Sequence, residues 1–154
     1  VGVLSDMHGN LLNSIAVNRM IISGLSNRIK VTNRTGLVQY GEYLAISSGV
    51  SQGRIGKFPL VTKTCEEIAT KMGSCGPINI QCRLYEGKVF VFEINPRFSG
   101  TTSLRAMVGY NEPDILIRKH VLGEIIQPRF EYQNAYIVRG LAESILEQED
   151  MPNA

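Results

Sequence analysis

One stretch limits what this chain can build more than any other: Gly76 to Thr102, GPINIQCRLYEGKVFVFEINPRFSGTT. Two runs in it alternate apolar and polar residues, the period of a half-buried β-strand. Ile78, Ile80, Cys82 and Leu84 share one side of the first run, and Asn79, Gln81, Arg83 and Tyr85 the other. In the second run Phe90, Phe92 and Ile94 oppose Val89, Val91, Glu93 and Asn95. A three-residue loop at Glu86-Gly87-Lys88, with Gly87 supplying positive φ, sets Leu84 across from Phe90, Cys82 from Phe92 and Ile80 from Ile94. Gln81 then falls opposite Glu93, and Asn79 opposite Asn95. A two-residue turn would put Ile80 across from Glu93 and mix the faces, because a slip of one residue flips every side chain. The pattern predicts the three-residue loop.

The polar face of that hairpin collects hard oxygen donors: the Glu93 carboxylate and the side-chain carbonyls of Gln81, Asn95 and Asn79. Oxygen ligands with little net charge suit Mg²⁺ or Mn²⁺ shared with substrate phosphates, and suit zinc or copper poorly. Arg97, two residues beyond Asn95, can fork onto a phosphate or carboxylate. The plainer alternative is a solvated sheet face whose charges serve solubility. The run Glu93-Ile94-Asn95-Pro96-Arg97 followed by Phe98-Ser99-Gly100-Thr101-Thr102 favours a site.

At these residues the chain resembles the C-terminal part of an ATP-grasp domain of the carbamoyl-phosphate-synthase large-subunit-like branch. Such ligases carry a late Glu-x-Asn-Pro-Arg strand beside a strand with Asn-x-Gln, matched here by Asn79-Ile80-Gln81. The resemblance spans most of the sequence. It implies an α+β fold, an antiparallel sheet with helices on one face. It implies ATP and Mg²⁺ (or Mn²⁺) as cofactors, with Gln81, Glu93 and Asn95 as metal ligands. Arg19, Asn79, Gln81 and Arg97 would contact nucleotide or phosphate, and Arg97 would also act catalytically on the transferred phosphoryl group. The implied chemistry makes an acyl phosphate from a carboxylate and ATP, which an amine then attacks. Carbamoyl phosphate synthesis ranks second, and a non-catalytic nucleotide- or ligand-binding module is the third alternative.

Composition narrows the partners. At 154 residues the chain can bury a real core and reads as a single domain. Its 16 basic and 14 acidic residues leave +2, with the bases scattered, so neither nucleic acid nor a membrane surface is implied. No run of about 18 apolar residues is present. Cys65, Cys75 and Cys82 form no Cys-x-x-Cys pair and read as reduced, cytoplasmic thiols. His8 and His120 stand far apart in sequence, which suggests no metal cluster. The opening Val-Gly-Val-Leu-Ser is already strand-like and lacks Met, so residues 1–154 read as the C-terminal part of a larger ATP-grasp domain, its N-terminal part absent. Alone, they are expected to bind nucleotide weakly and turn nothing over. Self-association is left open.

Elsewhere, Val1–Ser5 and Leu11–Met20 read as a hairpin turning at Asp6 to Asn10, where Asp6 and His8 are turn residues rather than a catalytic pair. Residues 23–56 suggest irregular strands and loops, with β-prone runs at Ile29–Thr32 and Tyr43–Ser47. A Gly/Ser loop at 48–53 could approach an anion. Pro59 to Met72 reads as a helix with a stripe of Leu60, Ile68, Ala69 and Met72, packed under the Ile/Phe face of the hairpin. Two further helices are expected, from Thr101 or Thr102 to Val108, and from Asn111 to Gly123 with Ile115, Leu116, Val121 and Leu122 on the apolar side. A late strand at Ala135–Val138 and a strand guess within 140–148 complete the chain.

Overall fold

The computed structural model describes residues 1–20, 29–47 and 51–139. They belong to two units, one built from Val1–Met20 and Ser51–Ile137, the other from Ile21–Val50 and Val138–Ala154. In the second unit, β3 (Ile29–Thr32) pairs antiparallel with β4 (Tyr43–Ser47), uniting the two β-prone runs of the sequence. The Asn33 amide closes their connection by donating to the carbonyls of Leu37 and Gly41. The expectations for 23–28, 48–50 and 140–148 lie outside the described residues.

The first unit is an α+β structure around a six-stranded sheet in the order β7-β6-β1-β2-β5-β8, every pairing antiparallel. Its strands are β1 (Gly2–Ser5), β2 (Leu11–Arg19), β5 (Gly53–Gly56), β6 (Pro77–Tyr85), β7 (Lys88–Asn95) and β8 (Ala135–Ile137). The helices are α1 (Pro59–Lys71), α2 (Thr102–Met107) and α3 (Glu112–His120). They occupy both faces, not the single face expected. Val3 packs with Cys65 and Ala69 of α1, whereas its neighbour Leu4 packs with Leu104 of α2 and Ile115 of α3. Successive strand residues point to opposite sides, so the two clusters lie on opposite faces of the sheet.

The hairpin corrects the predicted turn. Asn79, Ile80 and Gln81 do face Asn95, Ile94 and Glu93, but beyond them Cys82 faces Val91, Leu84 faces Val89 and Tyr85 faces Lys88. The loop is therefore two residues, Glu86 and Gly87, with φ of 46° and 72°. Positive φ at both positions is the type I′ turn that matches strand twist. A β-bulge at Phe92 supplies the extra residue that restores the lower register. Phe90 consequently falls opposite Arg83 and is 52% exposed, and Phe92 is 64% exposed. Val91 takes the place against α1 that the phenylalanines were expected to fill. Nothing crowds a Cβ at Gly87, so a Gly87→Val change tests backbone conformation alone. It is expected to cost about 1–2 kcal/mol in urea unfolding, the penalty of a left-handed β-branched residue.

The helix boundaries lie close to those read from sequence, but the faces differ. In α1 the buried residues are Thr62, Cys65, Glu66 and Ala69, while Leu60 and Met72 are exposed. Both polar residues on that face have partners, the Thr62 hydroxyl donating to the Phe58 carbonyl. Ser14 Oγ donates to Glu66, and Arg129 grips both Glu66 oxygens. α3 starts as expected, with Asn111 capping the Asp114 N–H, but ends at His120, so Val121 and Leu122 are exposed rather than packed. β5 falls within residues 23–56, where irregular strands were expected, but in neither of the β-prone runs named there.

Two carboxylates make the fold acid-sensitive. Burial would raise Asp6, but the Asn10 side chain and backbone N–H, the His8 N–H and the Lys119 charge outweigh it and hold the carboxyl below its usual range. Burial would likewise raise Glu66, and the bonds from Arg129 and Ser14 reverse it. Each folded pKa thus lies below the unfolded one. The stability each group adds is complete above the unfolded pKa and is lost as pH falls through the folded one. Urea midpoints should drop as pH is lowered from 5 to 3, and Asp6→Asn should flatten that slope. An unchanged slope in Asp6→Asn would contradict the assignment.

Candidate functional site

The polar face of β6 and β7 carries the predicted donors in the predicted register. Gln81 lies directly opposite Glu93 and Asn79 opposite Asn95. Glu93 is exposed, and Gln81 and Asn95 are half-buried. The Asn95 Nδ2 donates to Glu93 Oε1 at 2.6 Å. That bond leaves the Asn95 carbonyl oxygen and the second Glu93 oxygen for another partner. One carboxylate and two amide carbonyls, all hard oxygens with a single negative charge, fit a magnesium-type ion that takes its remaining ligands from phosphate and water. Among the described residues, no group of three or more His, Cys, Asp or Glu side chains could hold a metal by itself.

Pro96 cannot donate to a ladder, and β7 stops there. The Arg97 N–H then bonds back to the Asn95 carbonyl at 2.9 Å, which brings the exposed Arg97 just past the donor set. Its Nη1 donates to the Phe98 carbonyl at 2.8 Å. The connection into α2 is tied by its own hydroxyls, with Thr101 N–H donating to Ser99 Oγ and Ser99 N–H to Thr102 Oγ1.

Asn79 is placed differently from the other donors. It is buried, and its Oδ1 accepts from Arg105 Nη2 at 2.8 Å. Arg105 Nη1 in turn reaches both Glu112 oxygens at 2.9 and 3.0 Å, and Thr102 donates to Glu112 Oε2. This buried pair stands over Gly2, where a Cβ would sit 2.2 Å from Arg105 Nη1. Sequence reasoning missed both Arg105 and Glu112. The one signal was Gly2 itself, since glycine inside a strand marks a close approach.

Arg19 lies on the same sheet face, in step with Ile15 and Val17, which pack in the α2 cluster. Three strand spacings separate β2 from β7, about 14 Å, so Arg19 is not part of the Glu93 cluster. Asp6 serves its turn, as expected. His8 and His120, distant in sequence, lie with ring centroids 5.7 Å apart and planes tilted by 60°, and His120 Nε2 accepts from the Met7 N–H. An open cleft of about 310 Å³ lies elsewhere, beside Asn111, Arg118 and Phe130, and includes none of the predicted site residues.

Among the described residues, no helix is long and apolar enough to cross a membrane. A comparison with curated proteins finds no match. The family described as "ATP-grasp in the biosynthetic pathway with Ter operon" matches residues 3–143. With an antiparallel α+β sheet and an oxygen-donor face at its Glu-x-Asn-Pro-Arg strand, the chain belongs to this ATP-grasp family, whose members are ATP-dependent ligase-type domains.

Proposed function

We propose that the protein is part of an ATP-dependent carboxylate–amine ligase that works through an acyl phosphate. The observation that carries this is the register placing Gln81 across from Glu93 and beside Asn95 on one accessible sheet face. Glu93, Asn95 and Gln81 hold Mg²⁺ or Mn²⁺ in this reading. When bound, that ion neutralises charge on the phosphoryl oxygens. Arg97 donates to the transferred phosphoryl group, where a planar guanidinium can meet two oxygens at once. Asn79 and Gln81 contact phosphate from the strand beside it. Arg19, three strands away on the same face, takes a more distant part of the nucleotide or substrate.

A small carboxylate is the phosphoryl acceptor and an amine the nucleophile. We rank this above carbamoyl phosphate synthesis, because no residue identified on the face selects a bicarbonate-sized substrate. A cytoplasmic setting accords with the three free thiols. The test is a calorimetric titration of the full-length protein with Mg·ATP, alone and with EDTA. Saturable binding that EDTA abolishes is expected. Mg·ATP binding without turnover, across a panel of carboxylates and amines, would favour the non-catalytic module. No binding would overturn the proposal.

A further inference from the structure

Arg105 is 2% exposed and Glu112 is fully buried, yet the ion pair they form is a poor way to gain stability. Apolar residues of the same volume generally do as well or better, and here the Arg105 Nε is buried with no partner, a further cost. What the pair does fix is an orientation. A guanidinium can only donate, so the Asn79 amide must turn its oxygen to Arg105 and its NH₂ away. Arg105 stands over Gly2, on the β1 side of Asn79, because Gly2 and Asn79 are cross-strand partners. The NH₂ then turns away from β1, toward the β7 side, where Asn95 faces Asn79 and Glu93 lies two pairs further along, the next pair on that face.

We propose that Arg105 and Glu112 are positioning residues that hold Asn79 as a hydrogen-bond donor to an anionic oxygen, phosphoryl or carboxylate, at the Glu93 face. An amide presenting its NH₂ cannot ligate a cation, so Asn79 stands outside the metal set and serves the anion. This rests on the nucleotide reading of that face.

The experiment measures Mg·ATP affinity and thermal unfolding of the full-length protein in parallel. Asn79→Asp keeps an oxygen toward Arg105 but replaces the outward NH₂ by a second oxygen. Its unfolding midpoint should be retained while its affinity falls about tenfold to a hundredfold, the worth of a hydrogen bond to a charged group. Arg105→Lys keeps the charge and loses the fork. It should weaken binding in the native background and change it less than about twofold in an Asn79→Ala background, the coupling expected of one shared network. Full affinity in Asn79→Asp, or an equal effect of Arg105→Lys in both backgrounds, would mean that the pair is merely structural and would overturn this proposal alone. If the unsubstituted protein fails to bind Mg·ATP, the nucleotide reading falls and this proposal falls with it.

Discussion

Replacing Glu112 by Gln is expected to destabilise the fold by about 3–5 kcal/mol, the cost of leaving a buried charge without its partner. The carboxylate takes two bonds from Arg105 and one from Thr102, and the residue is fully buried. Gln is nearly the same size, so no cavity opens, and the loss reports charge and bonding rather than packing. Replacing the pair together, Arg105→Met with Glu112→Leu, should recover most of it, because the two desolvation costs disappear at once. Urea unfolding at pH 7 of the three proteins decides the matter. An unchanged midpoint in Glu112→Gln would show that the pair carries no weight in the fold.

Glu93→Gln should act in the opposite way. Glu93 is exposed and bonded only locally to Asn95, so its loss should leave the unfolding midpoint within about 0.5 kcal/mol. It removes the one formal charge from the proposed ligand set. Outer-shell partners of a metal typically matter 10- to 100-fold, so losing a charged direct ligand should lower Mg·ATP-dependent turnover by about a hundredfold or more. Turnover in Glu93→Gln equal to that of the unsubstituted protein would defeat the metal assignment, whatever the family. The two substitutions together separate a residue that supports the sheet from one that serves the ligand.

Local alternation made the lower half of the hairpin legible. Asn79, Gln81, Glu93 and Asn95 fall into facing pairs on pattern alone, since period-2 burial is a property of neighbouring residues. The turn was not legible. A three-residue loop and a two-residue turn with a bulge place the same lower pairs, and nothing in Val-Phe-Val-Phe reveals that Phe92 is the extra residue. The face of α1 was misjudged because Glu66 looks like a solvent residue until Ser14 and Arg129 supply partners from elsewhere, and Thr62 until its hydroxyl finds the Phe58 carbonyl one turn back. Arg105 and Glu112 escaped for the same reason. Charged residues are almost never buried unless paired, and their partner Asn79 comes from a strand 26 positions earlier.

The Phe92 bulge has a bearing on solubility as well. Among the described residues β7 is an outer strand, bordered by bare Phe90, Phe92 and Ile94 side chains. A straight ribbon of that composition would be a template for stacking neighbouring molecules edge to edge. The kink interrupts its row of free amides and carbonyls halfway along. Shortening the chain by that one phenylalanine would preserve every cross-strand pair yet leave a smooth apolar border, the kind of edge that bulges commonly blunt.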